Sequence, residues 1–256
     1  MLRLFRNIRK KLLADGSAAR YLLYALGEIA LVVIGILLAL AINNANEDRV
    51  TRKKEQVYLA GLRSDFALSK AKLEELIHVN RQNYEGARQI AAYMSSERER
   101  PSEKAFSHLL YNAFANDITF NPNNSLLEEM ISSGSLKDIH NTELRRRLTN
   151  WSAFLVDIEQ QEAELDDQHN QLLQYIYSNN YSLRTVLDLT GVSEEVVGLN
   201  PRADKHSNLA LLESRAFENY LVVFILTSVL TETAHYEPLL KEIDLISGLL
   251  DAEIKS

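Results

Sequence analysis

The 256-residue chain carries 28 Lys and Arg against 35 Asp and Glu, for a net charge of -7, with nine Gly, four Pro and no Cys. This excludes a collagen-like or Pro/Gly-rich disordered chain, a disulfide scaffold, and zinc, iron–sulfur or thiol chemistry built on cysteine. The charge is also uneven: residues 1–20 sum to +5, whereas residues 43–256 hold 22 basic and 33 acidic groups and sum to -11. Such an acidic bulk repels phosphate backbones, so nucleic acid is not expected as a partner.

Between these regions lies one apolar run, residues 21–42, interrupted only by Glu28. As a helix its 22 residues extend about 33 Å, enough to cross a hydrocarbon core of about 30 Å. A cleavable signal peptide would have a shorter apolar core and a small-residue cleavage site, whereas Ile42 runs into Asn43, Asn44, Ala45, Asn46 and Glu47. The run therefore reads as a retained membrane anchor, dividing the chain into a basic leader (1–20), a transmembrane helix (21–42) and an external domain (43–256). The leading flank has Arg3, Arg6, Arg9, Lys10, Lys11 and Arg20, while the trailing Arg49, Arg52, Lys53 and Lys54 alternate with Glu47, Asp48 and Glu55. That asymmetry keeps the N-terminus in the cytoplasm and puts the acidic bulk outside, in the periplasm of a Gram-negative cell. Leu2, Leu4, Phe5, Ile8, Leu12 and Leu13 fall between the leader's basic residues at helical spacing, which suits contact with an anionic inner leaflet; the alternative is a disordered leader.

Within the anchor, Glu28, Leu31, Gly35 and Ala39 share one helical face, with Tyr24 and Ile42 close to it. Small residues let helices approach closely, and a carboxyl in lipid seeks a hydrogen-bond partner. The stripe thus reads as a helix–helix contact, either self-association or a partner membrane protein. The alternatives are a protonated or snorkelling glutamate at the interface, and a proton carrier.

The next stretch, to Ser96, has no Pro. Leu62, Phe66, Ser69, Leu73, Leu76 or Ile77, Asn80, Tyr84, Ala87, Ala91 and Met94 recur at three- and four-residue spacing, predicting a long amphipathic helix continuous with the anchor. Residues 97–101 end it in a turn, and Ser102 caps a short helix carrying Phe106, Leu109, Leu110 and Phe114. After a loop at 119–124, Ser125 and Glu128 have capping-box spacing for a helix that stops at Gly134. Asn141 caps the next helix, where Leu144, Leu148, Trp151, Leu155, Ile158, Glu162, Leu165, His169, Leu172 and Ile176 form a partly polar seam. Its length of about nine turns suits antiparallel packing on the first helix. Residues 179–207 read as loop with one or two short helices. Ser207 is the expected cap of a last helix to Ala234, and Pro238 kinks it or starts another running to Ile254. The apolar stretch 220–230 is half the length of a membrane span and reads as the central core helix. The fold class is all-α, an N-terminal transmembrane helix leading into an antiparallel long-helix bundle.

The residues Tyr21-Leu22-Leu23-Tyr24-Ala25-Leu26-Gly27-Glu28-Ile29, residues 31–40 (LVVIGILLAL) and the pair Asn43-Asn44 resemble the opening of a family of uncharacterised single-pass bacterial membrane proteins, frequent in Bacteroidetes. Ser133-Gly134-Ser135-Leu136, Ile139, Asn141 and Glu143-Leu144-Arg145 also look like that family's pattern. The resemblance implies a single-pass envelope protein and brings no catalytic residues.

Three acid-x-x-His spacings, Glu75 with His78, Asp166 with His169 and Glu232 with His235, invite comparison with di-metal carboxylate bundles. Both members of such a pair must face the interior. Glu75 and His78 fall outside the core register, Asp166 lies beside the seam, and Glu232 and His235 are marginally inward. Arg145-Arg146-Arg147 reads as a solvated face pairing with carboxylates such as Glu143, the alternative being a docking site for an acidic partner. No phosphate loop, nucleophile elbow or zinc-protease helix is present, so no catalytic residue, metal or cofactor is expected. The expected role is a non-enzymatic, membrane-anchored structural or interaction protein of the cell envelope, with the lipid bilayer and a second copy or a membrane protein as partners. The alternatives are a sensor-like ligand-binding bundle signalling through a partner subunit, and a proton-coupled subunit using Glu28.

Overall fold

The computed structural model describes residues 18–95 and 99–254. Helix α1, Ala18–Ser95, runs through 78 residues without a proline, so nothing removes a backbone donor along it. It is followed by α2 (Glu103–Phe114), α3 (Ser125–Ser133), α4 (Thr142–Ser178), α5 (Leu183–Thr190), α6 (Val192–Glu195), α7 (Arg215–Leu230) and α8 (Glu237–Glu253). Short 3-10 turns occupy Ser135–Asp138 and Leu209–Glu213, and a π-helical turn, Thr231–Tyr236, links α7 to α8. There is no strand among the described residues. The chain divides into two compact units at Val57 and Tyr58. Glu97 and Arg98 of the expected turn lie outside the described residues.

In the unit Tyr58–Ser256 the periodicity of the sequence is realised closely. Leu144, Leu148, Trp151, Ile158, Glu162, Leu165, His169, Leu172 and Ile176 are all buried on α4. On α1, Leu62, Phe66, Ser69, Leu73, Asn80, Tyr84 and Ala87 are buried, while Ile90 takes the interior place expected of Ala91. Two apolar clusters result. One joins α1 around Leu59–Leu73, α4 around Leu144–Ile158 and α8; the other joins α1 at Ala87 and Ile90 to α2, the second half of α4, and α7. Burying one such Leu or Phe contributes about 1.5–3 kcal/mol.

The direction of α4 corrects the sequence expectation. Lys70 reaches Asp244 at 2.6 Å and Arg81 pairs with Glu232, so α7 and α8 run against α1. Arg147 meets Glu242 at 2.6 Å and Gln161 meets Thr231 at 2.9 Å, so they also run against α4. Therefore α1 and α4 are parallel, consistent with the Phe66–Trp151 ring contact at 5.0 Å. The cause is the connection between them. Ala113 packs on Gly86, where a Cβ would come within 3.3 Å of the Ala113 backbone nitrogen. From there Asn83 donates to the Asn116 carbonyl, Lys72 to the Asn121 carbonyl and to Asn123, and Leu126 lies over Gly61. The chain thus walks back along α1 before α4 begins.

Ser102 and Asn141 cap their helices as expected, accepting from Ala105 N at 3.2 Å and Leu144 N at 2.9 Å. Gly134 ends α3 at φ 74, a conformation that glycine adopts without strain. Two caps differ. Asn124, not Ser125, precedes α3, its side chain donating to Glu128. Ser214, not Ser207, caps α7 by accepting from Phe217 N, because Leu209–Glu213 forms its own turn and Ser207 donates to Glu103. Helix α7 is also not a fully enclosed core helix: Phe217, Leu221, Phe224 and Ser228 are buried, but Val222, Val223, Leu226 and Leu230 are exposed.

Candidate functional site

Of the residues singled out in the sequence, Glu28, Leu31, Gly35 and Ala39 lie on α1 in the first unit. Leu31, Gly35 and Ala39 are exposed and Glu28 is partly exposed. A Cβ built on Gly35 meets nothing within 4 Å, so this face of the helix is open to a neighbour. Among the described residues this is the one helix long and apolar enough to cross a membrane, and its most apolar window has no buried residue. Arg3, Arg6, Arg9, Lys10 and Lys11 lie outside the described residues, and Arg20 falls in the first turn of α1.

The acid–histidine pairs do not converge. Glu75 and His78 are exposed, and His78 bonds Gln82. Asp166 accepts from Asn170, whereas His169 is buried with its Nε2 3.1 Å from the Phe114 carbonyl. A carbonyl only accepts, so Nε2 is the donor in this bond. Glu232 pairs with Arg81, and His235 with Asp157 at 2.8 Å. Among the described residues no three His, Cys, Asp or Glu side chains gather as metal ligands do. In the basic cluster, Arg146 and Arg147 both reach Glu143, and Arg147 also pairs with Glu242, so it ties α4 to α8.

A polar belt crosses the bundle where α7 gives way to the π-turn. Asn80 donates to the Ser228 carbonyl at 2.9 Å, Gln161 to the Thr231 hydroxyl, and Tyr236 to Glu162 Oε1 at 2.6 Å. The Phe120 N–H donates to the same oxygen at 2.9 Å. Burial raises the Glu162 carboxyl above its ordinary pKa, while its two donors pull it back. Tyr236 is pushed up by burial and by the adjacent carboxylate. The π-turn has a local cause in Pro238. Proline has no N–H to offer and its ring collides with the carbonyl four residues back, and a wider turn relieves both problems. The Glu237 N–H bonds Glu232, five residues earlier. Sequence periodicity marked Glu162 as an inward polar residue; its partner Tyr236 carried no comparable signal.

A cleft of about 240 Å³ opens between α2, α4 and α5, lined by Leu110, Phe114, Leu173, Ile176 and Val186, with Asn208 at its edge. Asn208 is fully engaged: it accepts from Ser182 N at 2.7 Å, donates to the Ser182 carbonyl, and its own N–H donates to Glu103. The wall at α5 is braced by Asp188, whose carboxyl the Ser193 hydroxyl, the Arg202 N–H and Arg184 lower to about 2. The cleft is therefore mostly apolar, with Asn208 committed to holding its edge and the rings of Tyr111 and Tyr177 completing its lining.

A family model described as "Family of unknown function (DUF6090)" matches residues 28–203, from Glu28 in the apolar run to the loop after α6. The chain belongs to this family. No curated protein and no solved structure matches it. The family match covers the stripe of Glu28, Gly35 and Ala39, the Ser133-Gly134-Ser135 stop, the Asn141 cap, and the α2, α4 and α5 walls of the cleft. It ends before α7 and α8.

Proposed function

We propose that this protein is a single-pass, membrane-anchored interaction protein of the bacterial inner membrane. Residues 1–20 are cytoplasmic, residues 21–42 span the bilayer, and the acidic helical domain is periplasmic. The observation that carries the reading is the 22-residue apolar run, helical from Ala18 onward, with no buried residue in its most apolar window. Leaving so many Leu, Ile and Val side chains in water opposes the hydrophobic effect, and lipid removes that cost. The Glu28, Leu31, Gly35 and Ala39 stripe selects a membrane partner or a second copy. After alkali extraction the full-length chain is expected in the membrane pellet, with a C-terminal tag digested by protease added to spheroplasts. Recovery in the soluble wash, or a protected tag, overturns the reading. Glu28→Leu is expected to weaken co-purification of the associated chain; unchanged association removes the stripe's role.

A second reading rests on the apolar cleft: a sensor-like bundle that binds a small apolar molecule and signals through a separate subunit. Here 1-anilinonaphthalene-8-sulfonate is expected to bind the detergent-solubilised full chain, and Val186→Trp, which fills the cleft, to abolish that binding. Equal binding by the variant overturns this reading.

A further inference from the structure

We propose that the outer face of α7 is a contact between two copies of this chain, packed side by side with their α7 helices parallel. From Asn219 to Thr231 there is no charged residue. Phe217, Leu221 and Phe224 point into the bundle, yet Val222, Val223, Leu226 and Leu230 on the opposite side are 52, 43, 57 and 47% exposed. Asn219, Val223, Leu226, Leu230 and Thr233 follow one another at alternating four- and three-residue steps, the spacing of a helix–helix seam. A helix apolar on all sides belongs in an interior, and half of this one has none.

The flanks of the stripe indicate what covers it. One flank is α4, fixed there by Gln161 with Thr231 and by the Tyr175–Tyr220 ring contact; it presents Asp157 and Glu164. The other flank is α1, fixed by Asn80 with Ser228; it presents Arg81 and Arg88, both half-exposed beyond their partners Glu232 and Glu85. An anionic lipid surface would repel the carboxylates of the first flank and of Glu218. A second copy suits both flanks. A two-fold axis parallel to α7 brings the α4 flank of one copy against the α1 flank of its partner, so the carboxylates face the guanidinium groups. The same axis places each Leu226 opposite its counterpart.

The stripe is about 22 Å long and about 10 Å wide from helix geometry, roughly 220 Å². A standard stable complex buries about 800 Å² on each partner. The contact therefore depends on the local concentration that anchoring in one bilayer supplies, and so rests on the anchor reading.

Because the chain has no cysteine, Leu226→Cys introduces a single thiol. The full-length variant in native membranes is oxidised with copper–phenanthroline and run without reductant, beside Val156→Cys, an equally exposed apolar position on α4. The expected result is a disulfide-linked dimer from Leu226→Cys, about tenfold more abundant than from Val156→Cys and lost when Val223→Glu sets like charges face to face. Equal yields from the two thiols, no dimer from protein in the membrane fraction, or a disulfide to a different protein overturns the contact. In a mixture of differently tagged Asn219→Cys and Leu230→Cys chains, a mixed disulfide between the two variants more abundant than either homodimer overturns the parallel arrangement. Recovery of the chain in the soluble fraction marks failure of the anchor reading, and the contact falls with it.

Discussion

Residues 21–42 and residues 220–230 are both helical and nearly free of charge, yet their surroundings differ. The longer run has no buried residue in its most apolar window and ends in Asn43 and Asn44. The shorter one buries Leu221, Phe224 and Ser228 along one stripe, exposes Val222, Val223, Leu226 and Leu230 along the other, and ends at a hydrogen-bonded polar belt. Residue type is almost the same in both. What separates them is length against bilayer thickness and the presence of partners on a single face. An apolar helix thus signals only that something must cover it; the neighbouring polar groups indicate whether protein or lipid does so.

The largest effect that would test this contrast is in the buried stripe of α7. Phe224 is 2% exposed and meets Phe114 at 5.4 Å and His169 at 5.9 Å between ring centres. Phe224→Ala is expected to lower unfolding stability by about 3–5 kcal/mol, and Leu226→Gln, two residues on but outward, by no more than about 0.5 kcal/mol. Denaturant titration of the detergent-solubilised chain at low concentration measures both. Equal losses would show that the outer stripe is also enclosed. In the longer run, Val32→Arg places a cation near the middle of the span at a cost of about 2.5–3.5 kcal/mol. Alkali extraction is expected to release a substantial share of that variant while retaining Leu226→Arg like the parent. The reverse order would exchange the roles assigned to the two helices.

Faces were more legible in the sequence than paths. Every buried position of α4, from Leu144 to Ile176, follows from the three- and four-residue spacing, because that period survives whatever the helix packs against. The direction of α4 does not follow. It is set by bonds such as Lys72 to Asn123, Asn83 to the Asn116 carbonyl and the Phe120 N–H to Glu162, which join residues far apart without any repeating pattern. Caps show the same division. Asn141 stands alone before its helix and is readable, whereas Ser207 and Ser214 are rival starts that differ only in the turn Leu209–Glu213. At the candidate sites, Glu162 was visible as a polar residue in an apolar register. Tyr236 was not, since the π-turn shifts the phase between α7 and α8 just where a single helical period would be extrapolated. The exposed half of α7 was unreadable for a simpler reason: composition does not record how many neighbours a helix has.

The smallest of the expected effects concerns the belt that ends α7. Burial raises the Glu162 carboxyl above its ordinary value, even with Phe120 N–H and Tyr236 OH donating to it. A folded state that holds this proton more tightly than the unfolded chain gains stability from it at low pH. That gain is complete below the ordinary glutamate pKa and is lost as pH rises through the raised folded value. Glu162→Gln keeps an amide oxygen able to accept from both Phe120 and Tyr236, yet has no proton to lose. Subtracting the variant's stability–pH curve from that of the parent is therefore expected to leave a decline beginning near the ordinary carboxylate pKa and levelling off above the raised one. A difference that instead rises with pH would mean that the two donors outweigh burial, and that the belt is held together by a buried charge.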